Sequence, residues 1–196
     1  MTLLLQQIAN GLSLGFSYAL IALGFSIVFG TLKILNFAHG DVLMLSSFVG
    51  YLVLAATGQN LVLAAAAAIL FGAVVSMLIY ALLVRPVADR SFISPFVTTL
   101  GASLLFVAFA RQVFGSETRG FAPTLKSEVI TLGAARLTTT QLTIGAVAVV
   151  TMLLLGAVLY STRIGLLIRA SAQSPELARM SGVDTRVVAA AAMGVA

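Results

Sequence analysis

Leu61–Val84 reads LVLAAAAAILFGAVVSMLIYALLV, without one charged side chain, and is closed by Arg85-Pro86. A helix needs about 20 apolar residues to cross the hydrocarbon core of a bilayer, and this run is long enough. A membrane barrel strand would alternate polar and apolar residues, which this run does not do. Upstream, the turn-forming Thr57-Gly58-Gln59-Asn60 separates it from another uncharged segment over 42–57, so the two read as a tight helical hairpin. Further upstream, Thr2 to Leu32 is also free of charge, and a first span is expected over 7–30.

The whole chain carries the same signature. Hydrophobic residues make up 60%, charged residues 9%, and mean hydropathy is +1.12. A soluble domain carries about a quarter charged residues, so this is an all-α, polytopic integral membrane helix bundle. Cysteine is absent, which excludes a disulfide framework, a thiolate nucleophile and a cysteine-based metal site. With one histidine in the chain, a zinc cluster is not expected either, and no metal site is predicted. The first basic residue is Lys33, beyond the first apolar run, so the basic n-region of a signal peptide is missing and the first helix is expected to be retained. The net charge of +5 reflects cations kept in cytoplasmic loops rather than a nucleic-acid surface.

Beyond Pro86, Ser94-Pro95 opens a fourth span over 94–110, with Ser94 expected as its N-cap. Residues 111–136 gather six charges, three glycines and a proline, and read as an external aqueous loop. Inside it, Glu128-Val129-Ile130-Thr131-Leu132 and Arg136-Leu137-Thr138-Thr139 flank Gly133-Ala134-Ala135 and predict a small hairpin on the membrane surface. A fifth span follows over 137–162, a cytoplasmic segment over 163–186, and the start of a sixth span over 187–196. Residues 1–196 are thus read as one transmembrane domain, the N-terminal part of a longer protein. Lys33, Arg85, Arg90, Arg163, Arg169, Arg179 and Arg186 fall on one side, and Arg111, Arg119, Lys126 and Arg136 on the other. The richer side is expected to be cytoplasmic, which places the N-terminus outside.

Gly11, Gly15, Ala19, Ala22, Ser26 and Gly30 recur every three or four residues and form one stripe along the first span. Small residues let helix backbones approach closely in lipid, so this stripe is expected to face a helix neighbour within the bundle or in a second subunit. Gly11-Leu12-Ser13-Leu14-Gly15 also matches the G-x-S-x-G nucleophile elbow. The elbow requires a preceding strand and a nearby base, whereas these glycines already have a packing role in an apolar helix.

Two polar stretches stand out. Asn36-Phe37-Ala38-His39-Gly40-Asp41 holds the single histidine and the first acid of the chain, between two uncharged blocks. Polar groups at the edge of hydrocarbon are costly and mark functional breaks. The alternative is that Asp41 caps a helix starting at Val42. The second stretch is Ser174-Pro175-Glu176-Leu177-Ala178-Arg179-Met180-Ser181-Gly182. Ser174 suits the N-cap, Pro175 the first position, Glu176 the positive end and Gly182 the left-handed C-terminal position. Leu177 and Met180 form one apolar edge on about two turns. Such a helix is not stable alone and either docks in a partner's groove or simply joins two spans at the interface.

With these stretches in view, the chain resembles the permease subunit of bacterial branched-chain amino-acid ABC importers, the LIV type. The resemblance rests on the glycine-rich Gly11–Leu20 segment leading to Asn36-Phe37-Ala38-His39-Gly40-Asp41. It rests equally on Arg163-Ile164-Gly165, Arg169-Ala170 and the run from Glu176 to Val183. It covers the N-terminal part of the family's permease. What it implies is an ABC importer transmembrane subunit in the bacterial inner membrane that forms a path for leucine, isoleucine and valine. The implied partners are a second permease subunit, two cytoplasmic ATPase subunits and a periplasmic binding protein. By the same resemblance, Asn36, Phe37, His39, Gly40 and Asp41 lie at a broken helix beside the path, and 174–182 is the coupling helix. No G-x-x-x-x-G-K-[ST] loop is present, so ATP is expected on partner subunits, with no cofactor and no catalytic residue here. The alternatives are a urea or short-amide permease, an intramembrane serine hydrolase using Ser13 and His39, and a passive channel.

Overall fold

The computed structural model describes residues 2–58, 60–88, 90–91, 93–115, 129–132 and 135–196. Hydrocarbon offers no partner to backbone N–H and C=O groups, so uncharged runs close their own bonds as helices. Helix α1 covers Thr2–Leu32, α2 His39–Ala56, and α3 Leu61–Ile79, which runs on through a π turn at Tyr80–Val84. Helix α4 is Ser94–Phe114; strands β1 (Val129–Leu132) and β2 (Ala135–Thr138) follow. Then come α5 Thr139–Ser161, α6 Arg163–Gln173, α7 Pro175–Met180 and α8 Thr185–Val195. Among the described residues, five helices are long and apolar enough to cross a membrane: α1, α2, α3 with its π turn, α4 and α5.

The α2–α3 hairpin is tight because small residues meet across it. A Cβ on Gly72 would lie 2.8 Å from Ser46 Oγ, and one on Gly50 would lie 3.3 Å from the Ala68 Cβ. Asn60 caps α3 by accepting from the Leu63 N–H at 3.3 Å. Helix α8 packs on α3 and α1 and buries Val188, Ala189, Ala192 and Met193. With Val28, Val42, Tyr80 and Val84, two of these residues, Ala189 and Met193, form the main buried cluster. Elsewhere large apolar side chains point outward, among them Val62, Ile69, Leu105 and Leu153. In water these would form an association patch, whereas lipid chains solvate them without cost.

The predicted hairpin is present: Val129 pairs with Thr138 and Leu132 with Ala135, antiparallel. Glu128, Gly133 and Ala134 lie outside the described residues. Several boundaries differ from expectation. Helix α5 begins at Thr139, not 137, because Leu137 and Thr138 belong to β2. Thr138 then caps α5 in a reciprocal box with Gln141, whose Oε1 accepts the Thr138 N–H at 3.1 Å. Ile93 occupies the N-cap position of α4 without a side-chain cap, which puts Ser94 and Pro95 inside the first turn, and the helix runs to Phe114, where Gly115 at φ 80° ends it. Helix α6 was not foreseen. Thr162 starts it by accepting the Gly165 N–H at 3.1 Å, and the chain turns so sharply that a Cβ at Gly165 would strike the carbonyls of Val158 and Leu159.

Candidate functional site

The polar island is where α1 gives way to α2. Lys33 ends α1 in the left-handed region, at φ 56°, with its N–H donating to the Phe29 carbonyl at 2.9 Å. The chain then doubles back alongside α1, because the His39 ring packs edge-on against Phe25, centroids 6.3 Å apart. Phe25 lies seven residues before the end of α1, about 10 Å back along the helix axis. The linker therefore re-enters the bundle instead of staying at its surface.

Unwound backbone at that depth persists only if protein satisfies it. Asn36 is buried, its Oδ1 accepts the Ala38 N–H at 3.2 Å, and its Nδ2 faces Met193 Sδ of α8 at 3.8 Å. The Phe37 N–H donates to Thr99 Oγ1 of α4 at 3.4 Å, and the Phe37 ring meets Phe96 edge-to-face at 4.6 Å. Thr99 is wholly buried and also lies 3.4 Å from the Leu35 carbonyl. Helix α2 begins at His39, three residues earlier than expected, with Ala38 in the N-cap position and no side-chain cap. The reading of Asp41 as a cap is therefore corrected. The Asn36 amide has already taken the linker's free N–H, and Asp41 sits in the first turn, where its charge suits the helix dipole.

Two concavities meet at His39. One, of about 420 Å³, is bounded by Tyr18, Ala22, Phe25, Ser26, Asn36, Phe37 and Gly40 as well as His39. The other, of about 400 Å³, lies among α1, α2, α3, α5 and α8 and presents the hydroxyl residues Ser46, Ser47, Ser76 and Thr151. Both are in the size range of small-molecule sites. Close packing holds the imidazole in place: His39 Nε2 is 3.2 Å from the position a Cβ on Gly24 would take. Asp41 borders neither space, and as first and third residues of one helix His39 and Asp41 do not face each other. The structure thus brings Asn36, Phe37, His39 and Gly40 together and leaves Asp41 apart.

The hydrolase alternative is overturned. Ser13 lies in mid-helix with no strand before it. It is eleven residues from Gly24, the neighbour of His39, which is roughly 16 Å along the axis. Among the described residues no group of three acidic, histidine or cysteine side chains is placed to hold a metal. Of the small-residue stripe, Ala22 and Ser26 border the first concavity, while Gly11, Gly15 and Gly30 have nothing within 4 Å of an added Cβ, and Ala19 is half-buried. Most of the stripe is thus uncovered by this chain.

At α7 the predicted caps are in place. Ser174 Oγ accepts the Leu177 N–H at 3.3 Å. Gly182, at φ 80°, donates to the Arg179 carbonyl and Val183 to that of Ala178, both at 3.0 Å, which is a Schellman ending. Ala178 turns inward, whereas Leu177 is 64% and Met180 84% exposed, with Glu176 and Ser181 also outside. Pro175 and Arg179 border an opening beneath the end of α1. The helix presents an apolar edge that this chain does not cover.

Sequence reasoning missed Thr99 and the hydroxyl residues of the second concavity. A lone threonine or serine in an apolar helix can satisfy its own turn, as Ser46 does by donating to the Val42 carbonyl at 2.7 Å, so composition alone does not single it out.

The family described as "Branched-chain amino acid transport system / permease component" matches residues 7–196. The chain is 32% identical over 199 residues to the high-affinity branched-chain amino acid transport system permease protein LivH of Escherichia coli K12. It is 31% identical to LivH of Salmonella typhimurium LT2 and 29% identical to the permease protein BraD of Pseudomonas aeruginosa PAO1. These alignments cover 94%, 94% and 95% of this chain, which spans 64% of the length of each relative. No solved structure matches.

Proposed function

Because this chain belongs to the permease-component family of branched-chain amino acid transport systems, we propose that it is the membrane-spanning part of an ATP-driven importer of leucine, isoleucine and valine. The observation that carries the reading is the re-entrant linker, whose buried amide and backbone hold His39 between two concavities, one of them open on the exposed face of α1. Irregular backbone lining a cavity at depth is how transporters form sites in the membrane. Asn36, Phe37, His39 and Gly40 border the path, and Asp41 lies beside it in the first turn of α2, where its charge suits the helix dipole.

In this reading α7 is the coupling helix, whose exposed Leu177 and Met180 edge fits a groove on a cytoplasmic ATPase. The chain itself binds no ATP and needs no cofactor; two ATPase subunits supply the energy, and a periplasmic binding protein delivers the cargo. A second permease subunit pairs along the uncovered stripe of α1. The gathering of Lys33, Arg85, Arg179 and Arg186 at one end of the bundle supports an inner-membrane orientation with that end cytoplasmic and the N-terminus outside.

The test is uptake of radiolabelled leucine into proteoliposomes holding the full-length permease, its pairing subunit and the ATPases, with binding protein supplied. ATP-dependent uptake that excess isoleucine suppresses and urea does not is the expected result. Uptake that persists without ATP, or that only urea suppresses, overturns the reading.

A further inference from the structure

At the end of the bundle that carries the basic residues lies a third opening, of about 300 Å³, to which the transport reading assigns no ligand. Lys33 after α1, Arg85 after the π turn, Arg179 of α7 and Arg186 of α8 all border it, together with Tyr80 and Ser171. Among the described residues no carboxylate lines it. The nearby Asp184 is occupied in capping α8, its Oδ1 accepting the Arg186 N–H at 2.9 Å. Arg179 is held at the rim by donating from Nε to Thr185 Oγ1 at 3.0 Å.

Two further features point to an occupant. Ser171 is 3% exposed, and its Oγ has no hydrogen-bond partner. Buried hydroxyls are almost always paired, and this orphan belongs to a residue in the wall of the cationic space. The wall is also formed by a π turn, in which the Arg85 N–H donates to the Tyr80 carbonyl at 2.8 Å. Such turns reset the register of a helix and recur at functional sites. Four exposed cations on one rim concentrate positive potential there, and the donors of Arg and Ser suit phosphate oxygens.

We propose that this opening binds a phosphate group, in a pocket where a basic cleft between membrane helices meets the α6–α8 segment. The source is either the headgroup of an anionic phospholipid or free phosphate, and both share this chemistry. Since the pocket is walled by α1, the π turn, α6, α7 and α8, its occupant ties the α7 segment to the spans. The inference stands apart from the transport reading and needs no uptake.

The test uses the intact protein in nanodiscs of phosphatidylcholine, of phosphatidylcholine with phosphatidylglycerol, and of phosphatidylcholine with added inorganic phosphate matched in ionic strength by sodium chloride. The thermal midpoint is read in each. A rise of roughly 2–4 °C in the phosphatidylglycerol arm alone identifies the lipid, and a saturable rise of that size in the phosphate arm identifies free phosphate. Either supports the proposal, provided that the rise is lost in Arg85→Gln/Arg186→Gln and reduced in Ser171→Ala. Removing an unpartnered hydroxyl leaves the unliganded midpoint in place, so Ser171→Ala reports even if the arginine pair fails to fold. No rise in either arm, or a rise unchanged in Ser171→Ala, overturns the proposal.

Discussion

The Phe37 amide donates to the Thr99 hydroxyl across 3.4 Å, linking the re-entrant connection to a residue 62 positions further along the chain. Through this bond α4 holds the backbone that brings His39 beside α1. Thr99→Val keeps the shape and removes the acceptor, leaving a part-buried N–H unpaired at a cost of up to about 1 kcal/mol. We expect a lowered unfolding midpoint in detergent, with Thr99→Ser close to wild type. Equal midpoints for Val and Ser would show that the hydroxyl holds nothing.

His39 borders both concavities and Asp41 borders neither, so the two should respond differently. His39→Gln is expected to cut leucine uptake at least tenfold in assembled complexes. Asp41→Asn loses only a dipole interaction of about 0.3–1 kcal/mol and should leave uptake within a few-fold of wild type. Uptake abolished by Asp41→Asn and spared by His39→Gln would reverse these assignments.

Leu177 and Met180 stand free on α7, and Glu176 lies beside them. Leu177→Asp or Glu176→Arg should leave the chain folded in the membrane yet sever transport from ATP hydrolysis, because a docking face tolerates neither a desolvated charge nor a like charge. The quantity to follow is substrate-stimulated ATPase activity in the reconstituted complex. Wild-type stimulation would count against a coupling role.

Two glycines separate packing within the chain from packing against a partner. A Cβ at Gly165 meets backbone carbonyls of α5, and Gly165→Ala should destabilise by about 1–3 kcal/mol in thermal unfolding. Gly15 has open space around it, so Gly15→Leu should leave the isolated chain as stable as wild type and prevent pairing with the second permease subunit. Pairing is read by co-purification. Normal pairing of Gly15→Leu would remove the stripe from the interface.

These 196 residues contain no cysteine, so a single one placed among them can report orientation. Gln112 and Gln173 are both exposed, near the C-terminal ends of α4 and α6. An impermeant thiol reagent applied to intact spheroplasts should label Gln112→Cys and spare Gln173→Cys. The opposite pattern would invert the topology.

The sequence by itself determined that this chain is a membrane helix bundle, because uncharged runs such as Leu61–Val84 have no other way to satisfy their backbone in lipid. It also determined α7, whose start and end depend on local bonds made by Ser174 and Gly182. The path of the 33–38 linker needed tertiary structure as well as local bonds. Its free N–H groups find partners in Asn36, two residues away, and in Thr99 on another helix, and hydropathy carries no trace of that second partner. The same holds for Asp41. From sequence it was as good a cap as a path residue, and it became neither once α2 started at His39, placing the carboxylate in the first turn and outside both concavities.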